Sequence, residues 1–229
     1  MMGSKHLKRL VAPASWPIER KLTKFIAKPS PGPRGLQVGL PLVAVLREVL
    51  KVVKTTKEVK FLLQKGEVLV NGIRRKDSKF PVGVFDIVTL PSQKRNVRGS
   101  LGKNGKIRFI VEKEGGFLIR KIINKTLVRG KVQVNCQDGF NLLIDQDQYK
   151  VGDTLVFEQN SPQVRDHWPL VVSSHIFLVR GSHVGEQGEL AAMLGSRITF
   201  RTAKGETHET SRDFAMVIGR TKPEVMLVV

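Results

Sequence analysis

Five histidines, at 6, 167, 175, 183 and 208, and twenty carboxylates are the groups with which this 229-residue chain could do acid–base or metal chemistry. Their spacing is against it. No histidine has a second ligand at i+4 and no HExxH occurs, so no zinc pattern is present, while Glu206 and Glu209 fall in a polar stretch that reads as a solvated turn. GxxxxGK[ST], GxGxxG and GxSxG are absent. Cys136 alternates with Val132 and Val134, which is the place of a small core residue rather than a nucleophile. With no second cysteine, neither an internal disulfide nor a four-cysteine site can form, in keeping with a reducing cytoplasm. The expectation is a protein with no catalytic residue, no metal, no cofactor and no small-molecule substrate.

What the chain has in excess is positive charge. The formal net charge is +19, and it is not evenly spread: residues 1–60 carry an excess of +10, residues 61–130 of +11, and residues 131–229 of −2. Surplus cations repel one another unless an anion offsets them, so a polyanion is expected against the first 130 residues. No 18-residue apolar run, signal peptide or lipidation signal is found, so a membrane is not expected to be that anion. Nucleic acid is left. The sharpest local cluster is NGIRRKDSKF at 71–80, with Arg74, Arg75, Lys76 and Lys79 behind an Asn71-Gly72 turn. Aromatics make up only 6% of the chain and do not form the paired stacking positions of an RNP-type sheet. Base-edge readers such as Asn and Gln are missing from the best helix, which argues against duplex DNA and for folded RNA, recognised through phosphate and shape.

The elements that would position these cations follow in order. Residues 1–39 alternate basic clusters with isolated anchors (Leu7, Trp16, Phe25) and end in a Pro29–Pro33 connector. Too few apolar residues are present to offset the entropy of ordering, so a basic N-terminal arm that orders against its partner is expected. Leu42, Val45, Leu46, Val49, Leu50 and Val53 recur at helical spacing, and on the same predicted helix Arg47, Lys51 and Lys54 form a separate basic stripe. Thr55 and Glu58 read as a capping box that opens a second helix ended by Gly66. VLVNGI and the strand at 84–90 complete a small α+β unit, with the basic turn expected to project beside the stripe. Residues 92–106 read as an exposed linker. Strands at hairpin spacing then predict a compact β domain over about 107–170 and a further small barrel to about 220.

Five blocks, KHLKRLVAPASWPIERK at 5–21, PSPGPR at 29–34, LPLVAVLREVLK at 40–51, EVKFLLQKGEVLVNGIRRKDSKFPVGVFDIVTL at 58–90 and RGSHVGEQGEL at 180–190, resemble the small-subunit ribosomal protein S-four-e family of archaea and eukaryotes. The resemblance runs in order over nearly the whole chain. It implies a multi-domain α+β protein: a basic arm (1–39), an RNA-binding domain of the S-four type (40–104), a central β domain (105–170) and a C-terminal SH3-like KOW barrel (171–229). The KOW block keeps Gly181, Gly185 and Gly188, but places His183 and Glu186 where the family usually has Asn and a basic residue. The chain ends at Val229 without the basic extension of eukaryotic members, so the archaeal type is the closer likeness.

The function so implied is that of a structural constituent of the small subunit, on cytoplasmic ribosomes, with ribosomal RNA and neighbouring ribosomal proteins as partners. The RNA-binding residues expected are Lys5, His6, Lys8, Arg9, Arg20, Lys21, Lys24 and Arg34 of the arm, Arg47, Lys51 and Lys54 of the stripe, and Arg74, Arg75, Lys76 and Lys79 of the turn. The alternative is an RNA-modifying enzyme or a regulatory factor using the same domain as a handle. An enzyme would require a catalytic domain, and residues 107–229 hold no acid or histidine constellation at the level of sequence.

Overall fold

A computed structural model describes residues 6–112, 116–159, 161, 163–225 and 227. The chain is mostly β with few helices, and it divides into two compact units: residues 1–101 with 105–116, and residues 102–104 with 117–229.

In the first unit, helices and a five-stranded antiparallel sheet share one core. The strands run in the order Ile73–Arg74, Leu69–Val70, Ile87–Leu90, Arg95–Leu101 and Ile107–Glu112. The second helix, Thr56–Lys65, forms as expected: Thr55 accepts from the Glu58 N–H at 3.2 Å, Glu58 returns an acceptor to the Lys54 N–H at 3.0 Å, and Gly66 closes the helix at φ +73°. Its Val59 and Leu63 are fully buried.

The first helix departs from its periodicity. Leu42–Ala44 is α-helical, but Val45–Val49 widens into a π turn in which the Leu50 N–H reaches the Val45 carbonyl, and Lys51 turns left-handed at φ +52°. Leu42 to Leu46 are buried, whereas Val49 at the end of the π turn, and Leu50 and Val53 after it, are half-buried. Lys51 and Lys54 therefore lie on a loop rather than on a helical stripe.

Three other expectations change. Residues 92–106 are not a linker throughout, because Arg95–Leu101 is a strand with Val97 to Leu101 buried. Arg98, at 1% exposure, meets Glu112 through Nε at 3.1 Å and Nη2 at 2.7 Å, and Gly99 crosses so close to Gly83 that any Cβ there would overlap the Gly83 carbonyl. The strand 107–112 pairs with 95–101, so it belongs to this first unit and not to the following β domain. The expected strand over 84–90 is split, since Phe85 takes φ +70° between Pro81–Gly83 and Ile87–Leu90.

The N-terminal segment packs against its own unit. Leu7–Lys8 pairs with Phe25–Ile26, the Ile107 N–H donates to the Ser15 carbonyl at 2.8 Å, and Trp16 is 2% exposed with its Nε1–H on the Leu36 carbonyl at 3.1 Å. A buried indole contributes on the order of 3 kcal/mol. A few large anchors thus suffice where an even apolar period is missing.

The second unit holds two five-stranded antiparallel sheets. One is ordered Asn141–Ile144, Lys131–Cys136, Phe117–Val128, Thr154–Glu158, Val164–Trp168, with the Asp138-Gly139 turn where sequence placed it. The other is ordered Thr207–Ser211, Arg197–Thr202, Gln187–Leu194, His175–Leu178, Ala215–Gly219. Gln187–Leu194 and Thr207–Ser211 were not read as strands. Thr207–Ser211 is polar throughout, and Gln187–Leu194 has its apolar residues in one run, Leu190 to Leu194, of which only Leu190 is buried, so neither shows a clear period of two. Cys136 is buried as expected, and burial pushes its thiol up to about 12. Buried Lys121 donates to the carbonyls of Arg212, Asp213 and Ala215, and desolvation lowers its ammonium to about 8.

Trp16→Ala should destabilise the first unit by about 3–5 kcal/mol, as cavity-forming aromatic truncations do. Urea unfolding measures it, and a loss under about 1 kcal/mol would mean that the N-terminal segment is not part of the core.

Candidate nucleic-acid interface

The Asn71-Gly72 turn is held from below by a buried carboxylate. Asn71 and Gly72 both adopt positive φ, +54° and +79°, as a two-residue hairpin of this type demands. The Asn71 amide donates to Asp86 Oδ1 at 2.9 Å, and its oxygen accepts the Ile87 N–H at 2.8 Å. Asp86, 3% exposed, also takes the Gly83 N–H at 2.7 Å and the Arg34 guanidinium through Nε at 3.1 Å and Nη2 at 2.8 Å. Burial alone would push the Asp86 carboxyl up. The Arg34 charge and the hydrogen bonds of Arg34, Asn71 and Gly83 outweigh it and hold the carboxyl below its ordinary value.

On this support the expected cations separate into two kinds. Arg9 is wholly buried, forked onto Glu48 at 2.8 Å through each terminal nitrogen, with the Glu19 carbonyl and Thr23 hydroxyl as further acceptors. Arg34 is committed to Asp86, and half-buried Arg20 donates to the carbonyls of Leu10, Ala12 and Pro13. Arg47 bonds Glu48 and Thr56 and keeps 30% of its side chain exposed. Arg9 and Arg34, with Arg20 in part, thus tie the N-terminal segment to its own unit, because each finds an anionic or carbonyl acceptor inside it.

The others face outward. Lys8, Lys21, Lys24, Lys51, Lys54, Arg74, Lys76 and Lys79 are exposed, as is His6, whose ring lies 5.7 Å from Phe25. Arg75 is half-buried with its guanidinium 4.2 Å over the Phe80 ring. Lys5 lies outside the described residues.

These cations do not form one strip in the way the sequence suggested. Arg47 reaches Thr56 at the start of the second helix and, with Lys51, Lys54, Pro17 and Leu22, lines a groove of about 700 Å³. Arg74 packs its stem beside Gly66 at the other end of that helix. Ten residues, about 15 Å of helix, stand between the stripe residues and the turn. The helix bridges them with residues the sequence reading passed over: Lys57, Lys60, Phe61 and Gln64 recur at i, i+3, i+4 and i+7, and all are exposed. Phe61 is 56% exposed, with the Lys65 ammonium 4.5 Å over its ring. The available signal was the polar complement of the Val59–Leu63 face.

Three family models match the chain: the RS4NT (NUC023) domain over residues 1–36, the S4 domain over 40–88 and the ribosomal family S4e over 103–164. The small ribosomal subunit protein eS4 of Methanocella arvoryzae is 37% identical over 98% of both chains. The chain belongs to the eS4 family. The eS4 protein of Methanocaldococcus jannaschii is 32% identical over 97% of both chains. Among solved structures, the 30S ribosomal protein S4e from Thermoplasma acidophilum superposes with a TM-score of 0.68 at 22% identity, covering 80% of this chain and 96% of that one, a likeness of fold. The S4 match covers the helices, the turn and the buried Asp86, so Lys51, Lys54, Arg74, Lys76 and Lys79 sit within it, while His6, Lys8, Lys21 and Lys24 fall in the RS4NT match.

Two outcomes are expected. Replacing Arg74, Arg75 and Lys76 with alanine, or Lys57 with Lys60, should weaken binding to small-subunit ribosomal RNA well beyond Arg197, Arg201 and Lys204 to alanine, by filter binding at fixed salt; equal losses would place the RNA elsewhere. For Asp86, the lowered carboxyl contributes stability that is complete above its ordinary value of 3.8 and is lost as pH falls through the depressed one. Asp86→Asn should therefore be less stable at neutral pH, by about 3 kcal/mol, and its urea midpoint should fall less steeply below pH 3.8 than that of the unaltered chain.

Proposed function

We propose that the protein is a structural constituent of the small ribosomal subunit, on ribosomes of the cytoplasm, and that it binds ribosomal RNA through the outward cations of its first unit. Membership of the eS4 family, whose curated relatives carry the small-subunit name, is the observation that carries this reading. The family is one of ribosomal structural proteins and not of enzymes, which separates the reading from an RNA-modifying enzyme. The binding set is Lys8, Lys21 and Lys24 of the N-terminal segment, Lys51 and Lys54 toward one end of the second helix, Arg74, Lys76 and Lys79 toward the other, and Lys57 and Lys60 between. Phosphate neutralisation supplies most of the affinity, and Phe61 offers a stacking face for an unpaired base.

The domain order that best accommodates these features is an N-terminal basic segment, an S4-type module, a central β domain and a C-terminal KOW barrel formed by the sheet around His175–Leu178. Gly188 supports the last assignment, since a Cβ there would overlap the Arg201 carbonyl of the adjacent strand.

Log affinity for small-subunit RNA should fall linearly with log salt, with a slope of about −0.7 to −0.9 per contacted phosphate. A flat dependence would exclude phosphate contacts as the source of affinity. In sedimented lysate the protein should travel with small subunits, and a predominantly free pool would remove the structural role.

A further inference from the structure

The second unit brings together two histidines and a carboxylate that the sequence keeps 25 residues apart. His183 and Glu186 lie on the loop before the strand Gln187–Leu194, and His208 lies on the strand Thr207–Ser211. One ligand atom from each of the three side chains falls within 4.8 Å of the others. His183 Nδ1 is 3.2 Å from Glu186 Oε2, and the two imidazole centroids are 4.3 Å apart.

We propose that His183, Glu186 and His208 form a zinc-binding site. Two imidazoles with one carboxylate are a donor set for a borderline cation such as Zn²⁺, whereas Mg²⁺ and Ca²⁺ favour oxygen alone. Ligand atoms around tetrahedral zinc stand about 3.3 Å apart. The His183–Glu186 pair already has that spacing, and the remaining pairs close by about 1.5 Å from the 4.8 Å limit through side-chain rotation.

The side chains are placed for this. Phe200, fully buried and the cross-strand partner of His208, forms a common wall under both rings, 5.8 Å from His183 and 5.7 Å from His208. The loop is pinned by the Gly185 N–H on the Leu178 carbonyl and the Leu178 N–H on the Glu186 carbonyl, at 2.8 and 2.9 Å. Gly185 leaves room for no side chain, because a Cβ would overlap the Gly102 backbone. Glu206, 3.4 Å from His208 Nε2, is the outer carboxylate that orients that ring.

The hydrogen bonds present do not by themselves account for the cluster. At 3.2 and 3.4 Å they are longer than the roughly 2.7–2.9 Å of a strong charge-assisted bond. Each of the three ligands keeps between a quarter and a third of its side chain exposed, so a cation has a way in from solvent. Bound metal would staple the loop to the strand Thr207–Ser211, and by mass action it would raise the stability of the folded state.

The test is calorimetric titration of the full, chelator-treated chain with Zn²⁺ in the presence of millimolar Mg²⁺, followed by thermal unfolding. One Zn²⁺ per chain and a raised unfolding midpoint are expected. His208→Gln and Glu186→Gln should each weaken binding, the former by more than about 100-fold, beyond the loss of an outer hydrogen bond, while His6→Ala leaves it unchanged. Circular dichroism checks that each variant folds, and if His208→Gln does not, Glu186→Gln decides. Absence of binding, or binding indifferent to both substitutions, overturns the site.

Discussion

The Asp86 carboxylate, buried at 3% exposure, is the interaction on which the first unit depends. An ionised group so placed is tolerated only when its acceptor sites are filled. Here each oxygen takes two donors: Arg34 and Asn71 on one, Arg34 and Gly83 on the other. Those donors come from the N-terminal segment, the basic hairpin turn and the strand entering the sheet. One charge thereby sets where three chain segments meet, and the cations of the turn stand where they do because Asn71 cannot leave.

Positive charge does two jobs in this protein, divided largely by residue type. Arg9, Arg34 and Arg98 are buried or nearly so and pair with Glu48, Asp86 and Glu112 through the flat guanidinium fork, which matches a carboxylate with two parallel bonds. Lysines cannot make that fork and hold their hydration more tightly, and those of the second helix, the loop at 51–54 and the turn stay in solvent. Net charge therefore overstates the interface, since part of the arginine complement is neutralised inside the fold.

Several features were legible because their cause is local. The Thr55–Glu58 capping box, the Gly66 stop and the Asn71-Gly72 turn need only neighbours within a few residues, and all three stand as read. The strand at 95–101 was hidden because its polar residues suggest a linker until Glu112 arrives to pair Arg98 and Gly83 to pack on Gly99. The packing of the N-terminal segment was hidden for a similar reason: its few apolar residues are large, and Trp16 and the Arg9–Glu48 pair hold it without any period. The His183–His208 cluster had no spacing signal, because a loop and a strand distant in sequence bring the two rings together over Phe200.

The sequence by itself determined the family, the concentration of positive charge in the first 130 residues and the turn that carries Arg74, Arg75 and Lys76, since each follows from residue identity and short-range backbone preference. Only the tertiary structure decided which cations remain available. An arginine's fate depends on whether a carboxylate from a distant segment reaches it before solvent does, as Glu48 reaches Arg9 across 39 residues and Asp86 reaches Arg34 across 52.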